Sequence, residues 1–540
     1  MLKWMNNSAE QLGALKDYAF LSTPESNAVF IVERNGIIWQ QHEKVSWSID
    51  ERQRPPLLNW TDYVSVNADW FWLDGYLPVL EIKDQTKSIK VFSFKGKLYI
   101  DLENSAFEAI SMHKISQADI NEKITSIRTY WQDRLSHLSI CNNSEWCKNA
   151  LKASFVLTEC TYSGLHPHYG TGFYGLKHHD SFPPTTIRVV ETYLKWGEVD
   201  RAGKIFKYFL DNFIDESSGE IKYYGPSLAE YGMLLELVTL FNVSSTGQKW
   251  LKANIAKSQK LAKAMLKLLN TPTDVDKNSG LLIGSPEADE AQDIGVFIHN
   301  NAFVAIGLEK WGILASDYAL GAIATKAVTA GRNLTNLVRT AIDNFKEKHG
   351  FVPYRLDGKT VQPEKYYESR KAGYANYRYY PEMLESGILT QDEAEQIVYE
   401  RLNRGGEEFG MTVFPNNLSE YNRTRLYSYH YDNWTIISYL KAMINYNLPE
   451  AFKRTFAGHI LFHMCHDTYI AYEQVYKGGD IRTAYADYCV PSQLALPMMY
   501  LLAKEASNMD IDNLIVDILN SEPCLHSVNF KNELIQKSQI

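Results

Sequence analysis

The chain has 540 residues and a formal charge of −9, from 55 basic and 64 acidic side chains. That length suits two to four domains, or one helical toroid with an added module. The negative charge is spread thinly, which argues against nucleic acid as a partner, and no stretch is long and apolar enough to span a bilayer, so no membrane partner is expected. The unusual quantity is aromatic content: 34 Tyr, 23 Phe and 12 Trp. Tyr and Trp offer flat apolar faces with a polar tip, suited to stacking on ring-shaped ligands, although core packing must account for most of them. Six cysteines (141, 147, 160, 465, 489 and 524) form no CxxC pair. They read as buried thiols, with a Cys141–Cys147 bridge as the weaker alternative. Residues 1–13 contain no apolar signal-peptide core, which makes the cytoplasm the default compartment.

In chain order, residues 1–115 read as a β-rich, sandwich-like module. Ala28–Val32 and Gly36–Trp39 are apolar, β-branched runs separated by Asn35-Gly36, a strong hairpin signal. Further strands are expected at 60–66, 79–82, 89–94 and 97–102. Residues 116–140 change period: Ile120, Ile124, Ile127, Tyr130, Trp131, Leu135 and Leu138 recur every three or four positions, predicting an amphipathic linker helix. From 141 to 540 nearly everything reads as helix, with candidates at 145–162, 184–196, 199–213, 226–242, 246–269, 298–315, 317–346, 375–386, 390–403, 432–446, 449–465 and 490–506. Twelve helices joined by alternating short and long loops suit six αα-hairpins closed into an (α/α)6 toroid. The fold class is therefore mainly α with a β-rich module in front. No strict repeat is visible, so an open solenoid is disfavoured.

The longer loops (163–183, 214–226, 271–297, 350–374, 404–431 and 466–489) carry the unusual residues. They share one rim if the hairpins alternate. The first contains His166, His168, His178, His179 and Asp180. Four His and one Asp invite a metal reading, but their spacing fits no standard ligand set, so no metal and no cofactor are expected. Asp180 can equally cap the helix that follows. The functional reading has His179 and Asp180 bonding ligand hydroxyls.

The loop Gly280–Glu290 holds three acids within four residues, Glu287, Asp289 and Glu290. Such crowding is tolerated when the acids are solvated, capped or used. A bland reading is an acidic helix N-terminus. Far downstream, Glu473 sits in a similar aromatic setting, Tyr469–Tyr476, beside Tyr472. Two remote acids facing each other are what cleavage of an acetal requires: a protonated acid beside the leaving oxygen and a carboxylate near the anomeric carbon. Crowding raises the pKa of an acid in the 287–290 loop, while Glu473 remains ionised. Ala372–Glu382 places Arg378 among tyrosines, including Tyr377, where it either grips hydroxyls or packs by cation–π contact. Arg423–Trp434, with Tyr431 and Trp434, reads as another wall, although capping and core packing compete with binding.

These pieces resemble the six-hairpin (α/α)6-barrel glycosidases, specifically the glucoamylase and glucodextranase family. Thr129-Tyr130-Trp131 is similar to the helix joining a β-sandwich to the barrel. His179-Asp180, followed by a helix and Lys195–Ala202, resembles an Arg-Asp segment. Arg378-Tyr379-Tyr380-Pro381-Glu382 resembles the family's Arg-Tyr-Pro-Glu segment, whose Arg contacts substrate. Tyr472-Glu473-Gln474 resembles the late Glu-Gln segment, whose Glu is the general base. The resemblance implies an inverting, exo-acting hydrolase of oligosaccharides or glycosides, with the general acid at Glu287 or Glu290 and Glu287 preferred because it follows the turn Gly284-Ser285-Pro286. His179 stands where the family has Arg, and the acid loop lacks the family's Trp-Glu pair. The alternatives are an inverting phosphorylase or an isomerase on a related toroid, a polysaccharide lyase using His179 and Tyr377 with Arg378 on a uronate, and a catalytically silent sugar-binding protein.

Overall fold

The computed structural model describes residues 18–41, 57–102, 105–138, 140, 144–171, 179–356, 358, 360, 362–415, 429–475, 488–506 and 509–520. The chain opens with two antiparallel sheets. One runs β1 (Tyr18–Leu21), β2 (Val29–Glu33), β3 (Ile37–Gln41) and β4 (Leu58–Asn59). The other is a meander of β5 (Asp69–Leu73), β6 (Leu77–Lys83), β7 (Ser88–Phe94), β8 (Lys97–Leu102), β9 (Ser105–Glu108) and β10 (His113–Ile115). The β2–β3 hairpin turns at Asn35-Gly36, where Gly36 has φ 104°. A branched side chain there would be strained. The strand expected over 60–66 is instead a short 3₁₀ turn, Trp60–Asp62. The Asn59 side chain accepts the N–H of Thr61, and Trp60 Nε1 donates to the carbonyl of Glu33 at 2.7 Å. These side-chain bonds outcompete the pairing that the β-branched residues favour.

Helix α1 (Gln117–Arg134) is capped by Ser116 and buries Ile120, Ile124, Ile127 and Trp131, as its period predicts. It ends at Arg134 rather than reaching Leu138. Six hairpins follow, each pairing an outer helix with an inner one. The outer helices are α2 (Glu145–Thr161), α4 (Val199–Asn212), α6 (Ser245–Leu269), α8 (Gly321–His349), α11 (Gln391–Asn403) and α13 (Pro449–Gly458). The inner ones are α3 (Pro183–Lys195), α5 (Leu228–Thr239), α7 (Ile298–Ser316), α10 (Tyr380–Ser386), α12 (Ile436–Asn445) and α15 (Ala495–Glu505). Short helices α9 (Arg370–Tyr374) and α14 (Val490–Gln493) lead into α10 and α15, and α16 (Ile511–Asn520) packs on α13 and α15. The inner helices contact one another in the order α3, α5, α7, α10, α12, α15 and back to α3, which closes the ring.

Burial follows from that arrangement. In α3 every residue from Pro183 to Leu194 is buried, whereas α8 buries only Ala324, Ala327, Gly331, Leu334, Val338 and Ile342, a single stripe. Helix α2 is also buried along most of its length, and β6 packs against it. Cys147, Cys160, Cys465 and Cys489 are buried; Cys141 and Cys524 lie outside the described residues. No helix among the described residues is long and apolar enough to cross a membrane.

Connections from inner to outer helices are short, as at 196–198, 317–320, 387–390 and 446–448. Those from outer to inner are long: 162–182, 213–227, 270–297, 350–369, 404–435 and 464–489. All six long segments therefore meet at the N-terminal ends of the inner helices, on one rim. There, β11 (Glu407–Glu408), β12 (Met411–Pro415), β13 (Tyr429–Asp432) and β14 (Gln474–Val475) form a small sheet that the local sequence pattern does not announce. The β-rich region braces the rim from outside. Trp72 Nε1 donates to the carbonyl of Thr468 at 2.6 Å, and Arg34 pairs with Asp467 at 2.8 Å.

Helices α5 and α7 pack backbone against backbone. A Cβ on Gly232 would lie 2.1 Å from the Phe303 carbonyl oxygen, and one on Gly307 would lie 2.3 Å from that of Gly232. Backbone on both sides cannot yield cheaply. Gly232→Ala is therefore expected to destabilise the fold by about 1–3 kcal/mol, the usual cost of overpacking, read as a lower denaturant midpoint. An unchanged midpoint would contradict this packing.

Candidate active site

Loop 270–297 is fixed by the first turn of the helix it leads into. Gly284 and Gly295 bridge across it, Asn300 Nδ2 donates to the Ser285 carbonyl at 2.8 Å, and Asn301 holds both the N–H and the C=O of Leu282. His299 Nε2 donates to the Pro286 carbonyl at 3.3 Å. Burial and the Arg378 charge keep the His299 pKa down at about 3, so its ring is neutral. The peptide leading into Glu287 is thus anchored, and the Glu287 side chain is buried, 5% exposed.

There it meets Arg378. The segment 375–379 is a π-helical turn between α9 and α10. Pro381 has no N–H for the carbonyl of Tyr377, and the Thr435 hydroxyl donates to that carbonyl instead. Arg378 is fully buried and spreads its guanidinium over three carboxylates: Glu382 at 2.9 Å, Glu287 at 2.9 Å and Glu230 at 2.8 Å. Its Nη2 also reaches Ser227 Oγ at 3.3 Å, and the Trp434 ring lies 5.1 Å away. One cation cannot neutralise three buried acids. Burial pushes the pKa of each up to about 7, further than Arg378 pulls it down. Asp289 adds to the rise at Glu287.

The other two acids of the loop are placed differently. Asp289 is exposed and accepts from Tyr224 at 3.2 Å, and Glu290 pairs with Arg370.

Glu473 lies on the opposite part of the ring sequence, before β14, and is also 5% exposed. Its carbonyl accepts the N–H of Asn433 at 2.9 Å, where α12 is about to start, and its carboxylate accepts the Tyr169 hydroxyl. Strand register places Tyr431 opposite Val475 and Asp432 opposite Gln474; Gln474 Nε2 donates to Asp432 at 3.2 Å. Burial raises the Asp432 carboxyl.

An aromatic row links the two acids. Tyr374, beside Glu287, meets Tyr377 at 5.9 Å between centroids; Tyr377 meets Trp434 at 5.7 Å; Trp434 meets Phe182 at 5.5 Å; Phe182 meets Tyr169 at 5.3 Å. Burial raises the Tyr377 hydroxyl pKa well above its usual value, and the charges of Asp432, Glu473 and Glu287 all add to that rise.

The remaining candidates are distributed around this centre. Tyr431 is buried and donates to Glu408 at 2.5 Å, while buried Tyr472 bridges its backbone to Tyr488. His179 stacks on Tyr169 at 5.6 Å. Asp180 accepts from His166 Nε2 at 2.6 Å, and His168 Nδ1 lies 3.6 Å from the same oxygen. Burial would raise the Asp180 pKa, but the two histidines outweigh it and hold it at about 2. His166, His168 and Asp180 form a group with metal-ligating spacing. Arg423, Arg425, Tyr427 and His178 lie outside the described residues.

Three contributors escaped the sequence reading: Glu230, Tyr169 and Phe182. Glu230 had a usable signal, an acid in the first turn of a helix otherwise dominated by Leu, Met and Val. Tyr169 and Phe182 had none that separates them from the many other aromatic residues.

No family model and no curated protein matches the chain in sequence. Among solved structures, a bacterial glucoamylase complexed with acarbose matches over 94% of this chain and 96% of its own, at 11% identity and a TM-score of 0.56. A glycosidase covers 70% of this chain and 99% of its own at 12% identity and TM-score 0.45, and a rhamnosidase from Klebsiella oxytoca covers 68% and 66% at 8% and 0.43. With its closed ring of six hairpins, the chain has the fold of the six-hairpin glycosidases.

Proposed function

We propose that the protein is an inverting glycoside hydrolase acting at the ends of oligosaccharides, with Glu287 as general acid and Glu473 as general base. The observation that carries this reading is the pair of buried carboxylates at the two ends of one aromatic row, Glu287 held near a neutral pKa beside Tyr374 and Glu473 bonded by the Tyr169 hydroxyl. The fold shared with the glucoamylase supports the reaction class.

The chemistry follows from the two environments. A glycosidic oxygen leaves poorly as an alkoxide. Glu287, protonated near neutrality, gives its proton to that oxygen as the C1–O bond breaks. Glu473 accepts a proton from water as the water oxygen bonds C1 from the other face, which inverts the anomeric configuration. Arg378, with Glu230 and Glu382 behind it, positions Glu287 rather than gripping substrate. That geometry speaks against a lyase in which Arg378 holds a uronate. His179, Tyr377 and Trp434 are the candidates for contact with the sugar, with Tyr431 and Tyr472 supporting the base side, while Asp180 is engaged by His166 and His168. Glu290 and Asp289, tied to Arg370 and Tyr224, are the less suited acids.

Glu287→Gln and Glu473→Gln are each expected to lower kcat/KM by about 10²–10⁴-fold while oligosaccharide binding, followed by calorimetry, persists. Full activity in either variant would remove the proposed role. Glu290→Gln should cost far less. The sign of the pH dependence follows from protonation: the acid works only while it keeps its proton, so kcat/KM should fall as pH rises through about 7. That alkaline limb should vanish if another group is the acid. NMR of the first product from a screened glycoside should show the opposite anomer to the substrate, and retention would refute the water-activating role of Glu473.

A further inference from the structure

His166, His168 and Asp180 come from the α2–α3 connection, and nothing in their linear spacing marks them as a ligand set. In space, each offers one donor atom, His166 Nε2, His168 Nδ1 and an Asp180 carboxylate oxygen, and the three lie within 4.8 Å of one another. Pro167 separates the two histidines by one residue, and their rings face the same side with centroids 4.7 Å apart. His168 is 2% exposed, while the side chains of His166 and Asp180 are 25% and 20% exposed. The group is therefore enclosed on one side and open on the other.

The outward nitrogens are the second observation. A metal-bound imidazole carries its proton on the nitrogen that does not face the ion, and that N–H needs an acceptor to fix the ring. His166 Nδ1 lies 3.1 Å from the Tyr208 hydroxyl and His168 Nε2 lies 3.0 Å from Ser163 Oγ. Both outer nitrogens have a hydroxyl in reach, and both inner nitrogens face the same carboxylate. From these contacts we infer that His166, His168 and Asp180 form a binding site for one divalent transition-metal ion of the zinc class, with a fourth position open to water.

Two imidazoles and a carboxylate with an open fourth position are a donor set that zinc accepts, at about 2.0–2.2 Å to each atom. Binding replaces the proton shared between His166 Nε2 and Asp180. A neutral His166 ring then carries its single proton on Nδ1, donated to Tyr208, and a doubly protonated ring gives its Nε2 proton up to solvent. The ion would tie loop 163–171 to the turn that starts α3. The same loop carries Tyr169, whose hydroxyl bonds Glu473, and the same turn carries His179, stacked on Tyr169. Its consequence is to hold Tyr169 against Glu473, so its role is positional.

The site is tested on the untagged full chain, stripped with a chelating resin and dialysed against zinc. Elemental analysis should give about one zinc per chain, and cobalt in its place should show the visible absorption of a four-coordinate nitrogen–oxygen site. His168→Gln and Asp180→Asn should abolish both signals. Ser163→Ala should weaken zinc binding by about 10-fold or more against a chromophoric competitor, and His113→Gln, exposed on β10, should leave it unchanged. Absence of stoichiometric zinc from the wild-type chain, or zinc retained in both ligand variants, overturns the assignment. If a ligand variant does not fold, the wild-type stoichiometry, the cobalt spectrum and Ser163→Ala still decide it. Metal content is measured without substrate, so this result stands apart from whether Glu287 and Glu473 carry out hydrolysis.

Discussion

A single guanidinium facing three buried carboxylates is the constraint around which the centre of the ring is built. Arg378 has no exposure to solvent, and its partners Glu230, Glu287 and Glu382 are almost equally enclosed. With one positive charge to three acids, the group carries excess negative charge that burial penalises. The carboxyls respond by holding protons to higher pH. The arrangement also takes one member from each of three inner helices or their lead-ins, α5, α7 and α10, so the same interaction that sets protonation locks neighbouring hairpins in register. Removing any one acid would alter the charge of the others.

The ring supplies the geometry. Because each long connection runs from an outer helix to an inner one, the irregular segments gather at the N-terminal ends of the inner helices, where backbone N–H groups lack helical partners. Loops on that rim are not left to themselves. The first turn of α7 holds the Glu287 loop through His299, Asn300 and Asn301, and the β13–β14 pairing holds the residues beside Glu473. Trp72 and Arg34 of the β-rich region grip Thr468 and Asp467 on the approach to Glu473. The β-rich region is thus coupled to the base side of the site through a few side chains of defined direction.

Aromatic residues have two distinct uses here. Tyr374, Tyr377, Trp434, Phe182 and Tyr169 form one row of edge-on contacts between the acids, and their hydroxyls and faces shape the environment of both. Others, such as Trp196, Phe155 and Trp250, fill space between helices. Composition alone cannot sort the two groups, since a tyrosine in either has the same side chain.

Local features of the chain determined the helices, the meander, the Asn35-Gly36 hairpin and the segments that bear Glu287, Arg378 and Glu473, because period, turn chemistry and crowded acids are written in neighbouring residues. Tertiary structure alone decided the rest. Glu230 became part of the centre only when α5 took an inner place, and Arg378 turned toward Glu287 only because the π-helical turn and Thr435 set its direction. The β11–β14 sheet, the aromatic row, and the meeting of His166 and His168 with Asp180 join residues that are remote or irregularly spaced along the chain. Contacts of that kind leave no periodic trace in a sequence, since their partners are chosen by ring closure and not by spacing.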